Sequence, residues 1–274
     1  NPPIDSLREN EVMSLKTRFG NTGNILDFEN LTEDNIYVLD GPVLTNSQFK
    51  KFFNFFKKDI RVLDCTFDTK KGLKERIEQL RSEAEVAVRE GGKHLILTDQ
   101  SVDENKAAIP MILAIGAINS KLVNLGIRGF ASINVQTAEV LDTHSFAVLL
   151  GVGATTINPY IAFDSIYQRY EKKLFGNLKF EDCVRRYVKS VDNGLLKIMS
   201  KMGISVLSAY RGGCNFEAMG LSRALVAEYF PGMVSRISGI GIFGIEKKIK
   251  ELHKKAFQKN VSILPIGGIY KYRK

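Results

Sequence analysis

One candidate for a ligand-binding motif is a glycine-rich string near the end of the chain. Residues 239–244 read GIGIFG and match the pattern GxGxxG, which in dinucleotide-binding proteins follows a buried strand and opens a helix whose N-terminus holds a pyrophosphate. The preceding residues 231–238 make a poor strand, and the strand candidate at 261–264 ends without the acid that would bind a ribose. The string therefore predicts a flexible turn and a helix start rather than a dinucleotide site.

A second candidate is the turn that contains Arg211, Gly212 and Gly213, just after a predicted strand at 204–207. An arginine beside a glycine pair can hold an anion at the carboxyl edge of a parallel sheet, where α/β proteins bind ligands. The alternative is a tight turn in which Arg211 pairs with Glu217, and this structural interpretation is the favoured one.

Acidic residues follow several apolar strands, as catalytic acids do in barrel enzymes. They are Asp40, Asp64, Asp68 and Asp99. Acids in such places also cap helices, and caps are commoner than catalysts. Since no lysine at a strand end accompanies them as a base or Schiff-base former, we predict no catalytic residue in this chain.

Histidines and cysteines give no pattern of metal ligands or nucleophiles. The three histidines have neither HxxxH nor HExxH spacing; they are His94, His144 and His253. The three cysteines are odd in number and far apart, which fits neither a disulfide framework nor a zinc site; they are Cys65, Cys183 and Cys214. We therefore predict no metal site and a reducing compartment.

Composition excludes several classes of protein. The 274 residues are 44% hydrophobic and 25% charged, as in globular chains with a large core. Lysine and arginine exceed the acids by 39 to 30, a net charge of +9, but these cations are scattered along helices without the aromatic interleaving of nucleic-acid binders. No apolar stretch approaches the ~20 residues of a membrane helix. We expect a soluble, cytoplasmic protein that contacts neither nucleic acid nor membrane.

The sequence starts on Asn rather than Met, which suggests that it is a piece of a longer chain.

Short apolar strands alternate with amphipathic helices along the chain. The predicted strands are residues 36–39, 60–63, 94–97, 131–135, 155–157 and 204–207. The predicted helices begin with one at Ser6, whose spacing to Glu9 is that of a capping box, and continue at residues 46–56, 73–88, 109–125, 146–150 and 180–202. Asn46 and Ser47 are the expected caps of the second helix. Three of these helices carry an apolar stripe that is expected to be buried: Phe49, Phe52, Phe53 and Phe56 on the second; Leu73, Ile77, Leu80, Ala84 and Val88 on the third; and Val184, Tyr187, Val188, Val191, Leu195, Ile198 and Met199 on the last. This alternation predicts an α/β fold with a mainly parallel sheet and flanking helices, arranged as a degenerate or incomplete (β/α) barrel. An open doubly wound sheet is the alternative.

Five strings, taken in order, resemble one protein family. They are residues 1–5 with Arg8 and Glu9; two glycines at 151 and 153 before Asn158-Pro159-Tyr160; the string GLLKIMSKMGIS at 194–205; residues 210–212 with residues 216–218; and residues 235–237. Together they resemble the central domain of the glutamate synthase large subunit, and the lysine–methionine string is highly specific. The resemblance covers residues 1–257, and residues 258–274 look like a tail or the start of a link to the FMN-binding domain.

The resemblance implies a role between two catalytic domains. An amidotransferase domain of the same chain releases ammonia from glutamine, and a domain with FMN and an iron–sulfur cluster uses it to convert 2-oxoglutarate to glutamate. On this interpretation the present chain connects them, lines the ammonia path, holds no cofactor and is inactive alone. A small NADPH-dependent subunit of the holoenzyme is a further implied partner.

Asn1 and Ile4 are the candidate residues for the tunnel or the domain interface. Pro2 and Pro3 stiffen the backbone between them, which suits the wall of a conduit. The alternative is a plain spacer. A competing hypothesis for the whole chain is a self-sufficient (β/α) barrel enzyme that binds a flavin or a phosphorylated ligand near the Arg211 turn.

Overall fold

The computed structural model describes residues 2–20, 26, 36–213 and 215–258. Its strands are β1 (Thr17–Phe19), β2 (Tyr37–Leu39), β3 (Ile60–Asp64), β4 (Thr66–Asp68), β5 (His94–Thr98), β6 (Lys106–Ala108), β7 (Ser132–Gln136), β8 (Thr156–Asn158), β9 (Glu217–Leu221) and β10 (Val234–Ile240). Its α-helices are α1 (Glu9–Val12), α2 (Asn46–Phe55), α3 (Leu73–Arg89), α4 (Met111–Asn124), α5 (Thr143–Gly151), α6 (Tyr160–Glu171), α7 (Phe180–Lys201), α8 (Leu207–Tyr210), α9 (Arg223–Tyr229) and α10 (Ile242–Ala256).

Four strands form the central parallel sheet in the order β3, β5, β7, β8, so each lies beside the next one along the chain. The helices α3, α4 and α5 make the three crossovers. This sequential order is that of a (β/α) barrel, whereas a doubly wound sheet reverses its order at a switch point. Within the described ranges the sheet stays open, with β3 at one edge and Val43 paired to Ile157 beyond β8. The predicted mainly parallel α/β fold is confirmed, and an open sheet of this order fits an incomplete barrel.

One face of the sheet packs against α3, α4 and α5. All five residues of the predicted α3 stripe are buried, namely Leu73, Ile77, Leu80, Ala84 and Val88. They share the larger of two apolar cores with Leu63, Leu95, Leu97 and Ile133 of the strands. The helical period therefore identified the face of α3 that contacts the sheet.

The other face carries an aromatic cluster beneath α2. Thr45 caps this helix in a capping box with Gln48, one residue before the expected caps at Asn46 and Ser47. Burial of the phenylalanine stripe is confirmed for three of its four members, Phe49, Phe52 and Phe56, which pack with Ile60 and Ile96 in the second core.

Several segments differ from the structure predicted for them. At 204–207 a strand was predicted, but Val206 makes only a single bridge to Ser14 and the next residues form α8. Residues 231–238 were predicted to be a poor strand, yet they contain most of β10, which pairs in parallel with β9. Pairing with a partner strand overrides weak intrinsic strand propensity. Six elements have no counterpart in the predictions: the helices α6 and α9 and the strands β1, β4, β6 and β9.

The longest helix is α7, with 22 residues. Of the seven apolar residues predicted to share its inward face, Val191, Leu195 and Met199 are buried, and Val184, Tyr187, Val188 and Ile198 are partly buried against the same core. Among the helices of the described ranges, none combines the length and the apolar character needed to cross a bilayer.

Candidate functional site

The start of the chain is tied to the end of α7. The backbone N–H of Ile4 donates to the carbonyl oxygen of Ser200 at 2.9 Å, and the hydroxyl of Ser200 lies 3.1 Å from the carbonyl oxygen of Ile4. These contacts hold a partly buried Ile4 against a long helix. Asn1, the other residue predicted for a tunnel or domain interface, lies outside the described residues.

Glu9 completes this attachment. Its carboxylate accepts hydrogen bonds from Nζ of Lys197 at 2.8 Å and from the hydroxyl of Ser200 at 2.7 Å, and these bonds hold the pKa of Glu9 below its usual range. The capping box predicted at Ser6 is therefore wrong: the N-cap residue of α1 is Arg8, and the Glu9 carboxylate is committed to α7. Local spacing could not reveal these bonds, because the partner residues lie almost 190 positions away.

Gly194 allows α7 to approach α5 closely. A Cβ atom at this position would lie 2.5 Å from Cγ2 of Thr143, the first residue of α5. Glycine is thus required here by the space between two helices rather than by an unusual backbone angle. The string at 194–205 therefore joins α7 both to α5, through Gly194, and to the N-terminal segment, through Lys197 and Ser200.

The turn at Arg211 does not have the ion pair that was favoured from the sequence. Glu217 pairs instead with Arg236, at 3.6 Å between carboxylate oxygen and Nε. Gly212 has a φ of +67°, in the left-handed region that favours glycine. Nε of Arg211 is shielded from solvent and has no hydrogen-bond acceptor among the residues that the structure describes, and burial lowers the pKa of this guanidinium.

Two of the acids at strand ends organise their own loops. Oδ1 of Asp64 accepts from the N–H and the hydroxyl of Thr66, and Oδ1 of Asp68 accepts from the N–H of Lys70. Both acids line a cavity of about 190 Å³ at the carboxyl end of β3. Their hydrogen bonds are those of turn-forming aspartates, and not those of the helix caps that the sequence offered as the alternative to catalysis.

Asp99 lies deeper, at the end of β5. It is 2% exposed and accepts from the hydroxyl of Thr137 at 2.6 Å and from the hydroxyl of Tyr160 at 2.9 Å. Burial, reinforced by the Asp99 charge, raises the pKa of Tyr160. Nearby, Glu139 accepts from the N–H of Met111 at 2.8 Å and so caps α4. Asp99 thus holds the carboxyl ends of β5 and β7 together, and Glu139 ties the segment after β7 to the start of α4.

Each histidine has a separate environment. His94 lies in the aromatic cluster beside Ser132, His144 packs edge-on to Phe216, and Nε2 of His253 lies 2.8 Å from the carbonyl oxygen of Asp103. Across the described part of the chain, no three side chains among His, Cys, Asp and Glu are grouped to hold a metal ion.

The glycine string at 239–244 does join a strand to a helix. Gly239 lies in β10, Gly241 is the N-cap residue of α10, and Gly244 lies in the first turn of α10. However, β10 is mostly exposed, whereas the strand of a dinucleotide fingerprint is buried. A Cβ atom at Gly239 would clash with the carbonyl oxygen of Gly220, so this glycine permits the close pairing of β10 with β9.

Comparison with known proteins gives a consistent family assignment. The family model described as the glutamate synthase central domain matches residues 1–222. The glutamate synthase (NADPH) large chain of Azospirillum brasilense is 54% identical over 277 residues, which cover 100% of this chain and 18% of that protein. The corresponding large chain of Bacillus subtilis is 36% identical over 280 residues, and this alignment covers 100% of this chain and 18% of that protein. The chloroplastic ferredoxin-dependent glutamate synthase of Oryza sativa is 38% identical over 96% of this chain and 17% of its own length. This chain thus spans less than a fifth of the relatives that it matches.

Proposed function

We propose that this chain is the connecting domain of a glutamate synthase large chain. The proposal starts from the family of the chain, because it belongs to the glutamate synthase central domains. In such an enzyme an amidotransferase domain releases ammonia from glutamine, and an FMN-binding domain uses the ammonia to form glutamate from 2-oxoglutarate. The central domain itself neither forms nor breaks a covalent bond of the substrates. Its residues hold the two domains apart at a fixed distance and contribute to the wall of the ammonia path.

The observation that carries this proposal is the attachment of Ile4 to Ser200. The segment before α1 is stiffened by two prolines and is held to α7 by the backbone hydrogen bond from Ile4 to Ser200 and by the Ser200 hydroxyl, which contacts the carbonyl oxygen of Ile4. A rigid segment with a partly buried apolar side chain suits a conduit, because ammonia stays neutral and confined only where bulk water is excluded. A spacer that merely separates two domains needs no such attachment.

The test compares two half-reactions in the full-length large chain. Ile4→Ala and Asn1→Ala should lower glutamine-dependent glutamate formation several-fold more than glutamine hydrolysis, with the missing ammonia recovered in solution. Leu7→Ala is the matched control, since Leu7 is 86% exposed three residues further on and should leave the ratio unchanged. Preserved glutamine hydrolysis shows that the variants fold. If the ratio of the two activities stays at its wild-type value in both test variants, the segment is a spacer.

The cofactors belong, in this proposal, to the following domain. An iron–sulfur cluster needs several thiolates in one place. The described cysteines are Cys65 and Cys183, and no three side chains among His, Cys, Asp and Glu are grouped in the described ranges, so these residues do not supply the set of ligands that a cluster needs. We therefore assign FMN and the cluster to the neighbouring domain, and a small NADPH-dependent subunit to the holoenzyme as a further partner.

A second candidate function is favoured by one observation, the unpaired Nε of Arg211. A self-sufficient barrel enzyme could hold a flavin or a phosphorylated ligand there with Gly212 and Gly213. Addition of FMN to the purified 274-residue chain distinguishes the two. Stoichiometric quenching of flavin fluorescence would favour the barrel enzyme, whereas unchanged fluorescence is expected of a connecting domain.

A further inference from the structure

We propose that Arg211 is the anchor of an anion site that takes a carboxylate from outside the described part of this chain. The site itself follows from the geometry around Arg211. Only one possible source of the carboxylate, a neighbouring domain of a large chain, rests on the proposed function.

The first observation is an unused donor. Nε of Arg211 is excluded from solvent and lacks a hydrogen-bond acceptor in the described ranges. Buried donors in native proteins are nearly always paired, so an orphan of this kind points to a missing partner. A guanidinium presents its N–H groups in a planar fork that matches the two oxygens of a carboxylate.

The second observation is an excess of positive charge. Arg128 lies close enough that the charge of Arg211, together with the larger effect of burial, lowers the pKa of Arg128 to about 10. The acid predicted to neutralise Arg211, Glu217, is paired with Arg236. Two neighbouring arginines are therefore left without an opposing carboxylate among the ion pairs of the described residues.

Arg128 supplies charge to this site but not hydrogen bonds. Its guanidinium donates to Oδ1 of Asn119 at 2.7 Å and to the carbonyl oxygens of Ala131 and Gly153 at 2.5 and 2.9 Å. These bonds fix the guanidinium of Arg128 in place near Arg211. An incoming anion would thus bind the Arg211 fork and be stabilised at longer range by the charge of Arg128.

The third observation is access. Gly212 and Gly213 are exposed, and a Cβ atom built at Gly212 would have no neighbour within 4 Å. The backbone beside Arg211 is therefore open to a group that approaches from outside. The carboxylate can come from a small soluble acid or from an acidic side chain of the flanking polypeptide. The second source is available because relatives are more than five times as long as this chain.

The first arm of the experiment uses the 274-residue chain. Thermal unfolding is followed while sodium chloride is replaced by sodium succinate at constant ionic strength, for the wild type, Arg211→Gln, Arg211→Lys and the control Arg185→Gln. Arg185 is an exposed arginine paired with Asp182. If the source is a soluble acid, succinate should raise the unfolding temperature of the wild type and the control by about 2–4 °C and leave Arg211→Gln unmoved. Arg211→Lys, which retains the charge without the fork, should show a smaller rise.

The second arm uses the full-length large chain. Hydrogen exchange of amides in residues 207–213 should be at least ~10-fold slower there than in the 274-residue chain if a side chain of the flanking polypeptide is the source. Arg211→Gln should abolish this protection, and Arg185→Gln should keep it. A response in either arm supports the site and identifies the source; no response in both arms overturns it. The ratio of half-reactions in the Ile4 variants is measured separately, so failure of this inference is distinguishable from failure of the proposed function.

Discussion

Glu246 of α10 accepts a hydrogen bond from the backbone N–H of Leu73 at 2.9 Å, and so caps a helix that begins 173 residues earlier. The N-cap residue of α3 is Gly72, which has no side chain to do this. Lys250 joins the contact, donating to Glu246 at 2.6 Å and to the carbonyl oxygen of Lys71 at 3.0 Å. Although burial opposes it, these hydrogen bonds hold the pKa of Glu246 below its usual range.

Removal of this cap should destabilise the chain. Glu246→Ala is expected to lower the free energy of unfolding by about 1 kcal/mol, because the first N–H of α3 loses its acceptor. Unfolding in urea measures the change. Glu251→Ala, at an exposed position on the same helix, should alter it little. Equal losses in the two variants would show that only the helix propensity of α10 is being measured.

Asp192 should make stability fall as pH rises through weakly acidic values. One carboxylate oxygen is buried without a hydrogen-bond partner in the described part of the chain, and burial, with the nearby charge of Asp40, raises the pKa of Asp192 to about 6. The folded state therefore binds this proton more tightly than the unfolded state, whose pKa is about 4. The stabilisation that protonated Asp192 gives to the folded state is complete below about pH 4 and is lost as the pH rises from about 4 to 6.

Asp192→Asn should remove this slope. Above pH 6 the variant should be more stable than the wild type by about 1–3 kcal/mol, since no charge is left buried. Urea unfolding at several pH values measures the difference, with the exposed Asp164→Asn on α6 as the control. If the difference between wild type and Asp192→Asn does not change between pH 4 and 7, Asp192 does not titrate as described.

His94 should act in the opposite direction. Its ring lies against those of Phe19, Phe52 and Phe56, with Nδ1 2.8 Å from the hydroxyl of Ser132, and burial lowers its pKa to about 4. The unfolded state, with a pKa of about 6.5, then binds the proton more readily. Stability should fall as pH drops from about 6.5 to 4, because protonation favours unfolding.

His94→Gln should flatten this second dependence. The variant loses aromatic packing and is expected to be less stable at neutral pH, but the gap to wild type should narrow as pH falls below 6. Nuclear magnetic resonance titration of the ring gives an independent readout of its pKa. His253→Gln on α10 is the control. A His94 ring that titrates near 6.5 in the folded chain would contradict the prediction.

Truncation on α7 should separate its two faces. Leu195 is 1% exposed, so Leu195→Ala should lower the free energy of unfolding by about 2–5 kcal/mol through lost burial and a cavity. Lys189→Ala on the exposed face should change it by less than ~0.5 kcal/mol. Melting curves of similar midpoint for both variants would show that the face assignment of α7 is wrong.

Local patterns were enough to identify much of the fold. The apolar period of α3 predicted its buried face residue by residue, because a helix repeats every 3.6 residues whatever lies opposite. Strands such as β5 were found from short apolar runs for a similar reason. Five strings taken together, among them the specific one at 194–205, indicated the family, and the family match over residues 1–222 confirms that interpretation.

Only the tertiary structure reveals which polar residues far apart in the sequence pair with one another. The bonds from Ser200 to Ile4, and from Leu73 to Glu246, join residues more than 170 positions apart, and no local period encodes which of many polar side chains will meet. The same holds for Arg211, which was expected to pair with Glu217 six residues away. Glu217 lies on β9, whose pairing with β10 brings Arg236 to it instead, so the packing of the strands left the positive charge of Arg211 without that partner.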